Sequence, residues 1–253
     1  MNAILRLARR EVQALFLSPL AWTLLAVLFA LCAYMFGAAV ELYLARQMQF
    51  RAMGGGDLPL TAMTVAPLYG NAAVLMLLIL PLFTMRLIAE EKRRDTWPAL
   101  LSSPLSSTQI ILGKYLGLLA FLAATLALLG LLPLTLTAFG NPDMGMVLGG
   151  LLGLFLLCAA FGAVGLATSS IGDNPIVSAL LGFGALLALW ILAWAGQMGD
   201  APDSLLEQLS LMTHFEPFLR GLVRSGDLYY FLALSTLGLL FARHRLEADR
   251  IRG

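Results

Sequence analysis

Six long stretches almost free of charged residues divide this 253-residue chain, and they constrain its fold more than any other feature. A bilayer-crossing helix needs about 20 mostly apolar residues, because hydrocarbon offers the backbone no water to bond. The runs predict spans at about 21–43, 67–85, 110–136, 147–168, 175–197 and 228–242. The chain is 60% hydrophobic and 12% charged, whereas soluble domains carry about 25% charged residues. The expected fold class is therefore an all-α integral membrane protein, one domain over 1–253, with short loops. A net charge of +1 gives no basic field for nucleic acid. Cys32 and Cys158 sit within apolar runs and read as packing residues.

Residues 2–17 read as an amphipathic interfacial helix. Ile4, Leu5, Ala8, Val12, Leu15 and Phe16 share one face, and Arg6, Arg9, Arg10 and Gln13 cluster opposite. A signal peptide is not expected, since the next apolar run is too long for an h-region and lacks a small-residue cleavage site. Ser18-Pro19 breaks the helix. Pro81 should kink the second span or mark irregular backbone, Ser106-x-x-Gln109 is a capping box, and Asn174-Pro175 opens the fifth span. The sixth uncharged run is short, so it must thin the bilayer or extend through snorkelling residues. In the 198–227 loop, Ser204-x-x-Glu207 and Thr213-x-x-Glu216 read as tandem capping boxes. Phe215, Phe218, Leu219 and Leu222 follow at helical spacing, which predicts two short amphipathic helices on the outer surface. Gly113/Gly117 and Gly149/Gly153 have GxxxG spacing and suggest close helix contacts, a subunit contact among them.

With the N-terminus cytoplasmic, that side holds twelve basic residues and the other only Arg46, Arg51, Arg220 and Arg224. The positive-inside rule then places both termini, and the charged hairpin between spans two and three, in the cytoplasm. That hairpin packs Arg86, Glu90, Glu91, Lys92, Arg93, Arg94 and Asp95 ahead of Thr96 and Trp97. Trp97, Leu100, Leu101 and Leu105 form an apolar set suited to a groove on a soluble partner. A plain solvated turn needs no such anchors.

The run Glu90-Glu91-Lys92-Arg93-Arg94-Asp95-Thr96-Trp97, with Leu100, Leu101, Pro104, Ser106, Gln109, Gly113 and Lys114, resembles the coupling segment of ABC type-2 exporter permeases. Within that superfamily it is most similar to the gliding-motility type. Thr213-His214-Phe215-Glu216, with Phe218, Arg220 and Gly221, resembles the segment before the last span of the same permeases. The resemblance covers the whole chain. Pro98 departs from the glutamate common in the family and removes one acidic contact to the ATPase.

The resemblance implies a bacterial inner-membrane permease, itself non-catalytic, working with two ABC ATP-binding subunits and a second permease copy, identical or paralogous. ATP and Mg would be held by the ATP-binding subunits, in whose clefts the coupling segment sits. Glu90, Glu91, Arg93, Asp95, Thr96, Trp97, Leu100 and Leu101 would then be the ATPase-coupling residues. The implied function is export driven by ATP hydrolysis on the partner. The alternative is a mechanotransmission subunit that passes motion to an external accessory protein. Phe215, Phe218 and Leu222 are expected to form a stripe facing the bundle as an outer gate, with Glu216, Arg220 and Arg224 turned to water.

The residues themselves exclude other classes. No glycine-rich loop followed by Lys-Ser or Lys-Thr provides a phosphate site. No acid or base interrupts the middle spans, as ion-coupled transport requires, which points to amphipathic or lipid-linked cargo. His214 and His244 have no metal-ligand spacing, and Glu41 reads as a snorkelling rim charge. An intramembrane processing enzyme would need polar groups at one bilayer depth, and none are so placed.

Overall fold

A computed structural model describes residues 2–93, 97, 105–138, 140–197 and 205–252, and among these it contains helices and no strand. The helices are α1 (Asn2–Phe16), α2 (Pro19–Ala52), α3 (Leu60–Thr84), α4 (Ala89–Arg93), α5 (Ser107–Leu129), α6 (Leu131–Leu134), α7 (Met144–Ser169), α8 (Pro175–Gln197), α9 (Leu205–Gln208), α10 (Leu211–Leu219) and α11 (Ser225–Arg252). Six segments among the described residues are long and apolar enough to cross a membrane. They are Pro19–Ala52, Leu60–Arg93, Ser107–Ala138, Met144–Ser169, Pro175–Ala193 and Ser225–Arg250.

The helix starts follow local chemistry. Ser106 accepts from the Gln109 N–H at 3.2 Å, while the Gln109 side chain accepts from the Ser106 N–H at 3.0 Å. Asp143 caps α7 by accepting from Gly145 N at 2.9 Å, and Asn174 accepts from Ile176 N at 3.0 Å ahead of Pro175. Pro67 and Pro81 both lie inside α3, which ends three residues after Pro81.

α7 is the hub, in contact with α3, α5, α8, α10 and α11. Its glycines allow that approach: a Cβ on Gly162 would lie 2.7 Å from Leu118, and one on Gly165 or Gly153 would overlap Thr84 or Phe218. α2 is buried along Ala21, Leu25, Leu28, Cys32 and Phe36, the i, i+4, i+7 stripe of one helix face, and again at Gln47 near its C-terminal end. Up to Val40 its remaining surface is also almost free of charge, as suits a helix with lipid on its other side.

The close contacts expected at the GxxxG pairs are made within the chain. Positions 113 and 117 receive α1, with Leu7 and the Glu11 side chain 2.7 and 2.6 Å from any added Cβ, and 149 and 153 receive Gly221 and Phe218. α1 consequently buries Leu7, Ala8, Glu11 and Leu15 and leaves Leu5 exposed. The last span does not end with its uncharged run. α11 has 28 residues, about 42 Å at 1.5 Å each, enough to cross with its charged tail outside the hydrocarbon. Thr213 caps nothing: Ser210 is the N-cap of α10 and accepts from Met212 N at 3.2 Å. The Ser204 cap lies outside the described residues.

Candidate functional site

The hairpin after α3 begins with a turn through residues 85–88. Ser169, at the end of α7, holds this turn: its hydroxyl accepts from Ile88 N at 3.2 Å and Ala89 N at 3.1 Å and lies 3.2 Å from the Met85 carbonyl. α4 then carries its charged side chains to three different parts of the bundle.

Arg86 pairs with Glu90 at 2.7 Å and donates to the Ser18 hydroxyl, at the α1–α2 corner, at 2.7 Å. Glu91 lies 2.8 Å from Lys114 of α5, whose ammonium also pairs with Glu11 of α1 at 2.9 Å. Lys114 is only 1% exposed, and a buried ammonium is tolerated because two carboxylates face it. Lys92 lies 2.7 Å from Asp249 of α11, donates to the Ser170 carbonyl at 3.1 Å and is 3.9 Å from Asp173. The hairpin is thereby tied to α1, α5, α7 and α11. On the same side, Arg250 of α11 donates to the Leu105 carbonyl at 2.6 Å.

Of the sequence-predicted coupling residues, Glu90 and Glu91 join these networks and Arg93 is exposed. Trp97 is 6% exposed and belongs to the apolar core, with Lys92 Nζ 5.7 Å from its ring centroid. Its ring faces this chain's own bundle rather than an open surface. Asp95, Thr96, Leu100 and Leu101 lie outside the described residues. Sequence reasoning missed Glu11, Ser18, Ser169 and Asp249 as members, and placed Lys114 in the coupling segment without its partners. The available signal was chemical: a lone acid on an otherwise basic helix and a lone lysine in the third turn of a span.

At the opposite end of the bundle, Phe215 and Phe218 of α10 are fully buried, Phe218 against Gly153 and 6.2 Å, ring to ring, from Phe231. Leu222 does not share their face and is 50% exposed. α10 stops at Leu219, and Gly221 takes φ +75°, a left-handed conformation that turns the chain before residue 222. Glu216 and Arg220 pair on the exposed side. His214 is structural: Nδ1 lies 2.7 Å from Asp227, Nε2 donates to the Gln208 carbonyl at 2.9 Å, and the ring stacks on Tyr230 at 4.0 Å.

Six candidate spans with α7 at their hub, and a charged hairpin clamped to one end, define a multi-pass membrane protein. Residues 57–241 match the profile of the ABC-2 family transporter proteins, and the chain belongs to that family. It is thus a membrane permease subunit of an ABC transporter. Comparison with curated proteins returned no match.

Proposed function

We propose that this chain couples ATP hydrolysis on a separate ATP-binding subunit to export across the bacterial inner membrane, with the hairpin as the input. The observation that carries the reading is the triple attachment of α4. Whatever displaces the hairpin pulls on α1 and α5 through Lys114, on α11 through Lys92–Asp249, and on α7 through Ser169 and Ser170. ATP and Mg belong to the partner, and this chain is its non-catalytic membrane half. Two ATP-binding subunits and a second permease, identical or paralogous, complete the complex. Within the family, the gliding-motility type remains our reading, on the Glu90–Lys114 and Thr213–Gly221 segments.

Orientation follows from charge. The end that bears the termini and hairpin holds Arg6, Arg9, Arg10, Arg86, Lys92, Arg93 and the basic tail of α11, which supports a cytoplasmic assignment. Between α3 and α8 runs a groove of about 310 Å³ lined by Leu78, Pro81, Leu82, Met85, Ile176 and Leu180 among others. It carries no ionisable group and suits an apolar or amphipathic cargo better than an ion.

The test uses Arg93, exposed and outside the internal ion pairs described above. Arg93→Glu is expected to reduce co-purification of the ATP-binding subunit while leaving the permease's thermal stability unchanged. Undiminished association would remove the hairpin from the ATPase interface and defeat the reading.

A further inference from the structure

We propose that the outward face of α1 is a binding surface for anionic phospholipid headgroups of the leaflet on the terminus-bearing side. α1 contains four charged residues, Arg6, Arg9, Arg10 and Glu11. The fold sorts them by sign. Glu11 is 8% exposed and turned inward onto Lys114, whereas the three arginines are exposed. The helix therefore neutralises its only acid inside the protein and presents a purely basic face outside. Nearby Glu90 is engaged by Arg86.

Depth and apolar surface agree with a headgroup location. α1 crosses α5 at Gly113 and Gly117, six and ten residues from the start of α5, about 9–15 Å along it. The Ser107–Ala138 segment has 32 residues, about 48 Å, against a hydrocarbon core of about 30 Å. Divided between the two ends, the excess brings the crossing close to the edge of the hydrocarbon. Beside the arginines, Leu5, Leu17 and Trp22 are 57%, 81% and 56% exposed. The Trp22 indole N–H donates to the Phe16 carbonyl at 2.6 Å, which fixes the corner where these apolar side chains meet the basic face. Apolar side chains in the acyl boundary with arginines above them are the arrangement that recognises a negatively charged lipid surface.

The experiment uses the full permease alone, so its outcome is independent of the ATPase reading. Protein is reconstituted in nanodiscs of mixed phosphatidylglycerol and phosphatidylcholine and released for native mass spectrometry. Wild type is expected to retain phosphatidylglycerol selectively. Arg9→Gln/Arg10→Gln should reduce that selectivity by up to about thirtyfold, two basic residues at about 1 kcal/mol each. Arg9→Lys/Arg10→Lys should keep it, because the attraction is to charge. Equal retention of the two lipids by wild type, or unchanged preference in the glutamine variant, overturns the proposal.

Discussion

Replacing Lys114 with methionine removes one ammonium and leaves the Glu11 and Glu91 carboxylates facing each other beside a space of nearly unchanged volume. In the native protein both sit within 3 Å of Lys114 Nζ, at 2.9 and 2.8 Å, with the lysine 1% exposed. Removing one partner of a buried ion pair costs about 3–5 kcal/mol, because an uncompensated charge stays behind. At about 2–4 °C per kcal/mol for a chain of this size, the midpoint should fall by on the order of 10 °C. Cys32 and Cys158 are free and buried, so a thiol-reactive dye reports unfolding without added labels. Neutralising the whole cluster, Glu11→Gln/Glu91→Gln/Lys114→Met, should recover most of that loss, since a buried network replaced in full by neutral groups costs little. That stable triple variant should still bind the ATP-binding subunit but lose ATP-driven output, because its hairpin no longer grips α1 and α5. A Lys114→Met protein that melts within about 0.5 kcal/mol of wild type, the range of ordinary surface changes, would refute the buried triad.

Trp97→Ala is expected to destabilise the permease itself by about 3–5 kcal/mol, since its ring fills the apolar core, and Trp97→Phe should recover part of this. An unchanged melting point with weakened ATPase association would instead place the ring at the partner interface. Gly153→Ala should lower stability by about 1–3 kcal/mol by forcing Phe218 and α10 outward, whereas Gly184→Ala, with no atom within 4 Å of its added Cβ, should be neutral or mildly stabilising. Equal melting shifts for the two glycine variants would contradict the close approach of α10 to α7.

The helices were legible where local chemistry fixes them. Ser106 with Gln109 and Asn174 with Pro175 are self-contained signals, and both mark true helix starts. The same pattern misled at Thr213-x-x-Glu216, where Ser210 three residues earlier makes the actual cap. For the last span the sequence left bilayer thinning and extension through charged residues both open, and α11 continues through Arg243 and pairs it with Glu247 at 2.8 Å. Faces were harder to read than ends. α2 is apolar around its whole circumference, so no periodicity separates its buried stripe from its lipid-facing side. The glycine pairs announced close packing but not the partner, because α1 and the loop at Gly221 carry no mark that points to them. The hairpin itself was evident from its charge density. Its internal tethers were not: Glu11 and Lys114 are 103 residues apart, and nothing in one segment encodes its meeting with the other.

The hairpin is proposed to receive the ATP-binding subunit at the terminus-bearing end of the bundle. Photo-crosslinking in intact membranes that contain the whole complex tests it most directly. A photoreactive side chain is placed at Arg93, which is exposed beside the hairpin tethers, and in a second protein at Leu209, 53% exposed at the opposite end. An adduct with the ATP-binding subunit is expected from position 93 and none from position 209. An adduct from 209, or silence from 93 in a complex that still hydrolyses ATP, would contradict it.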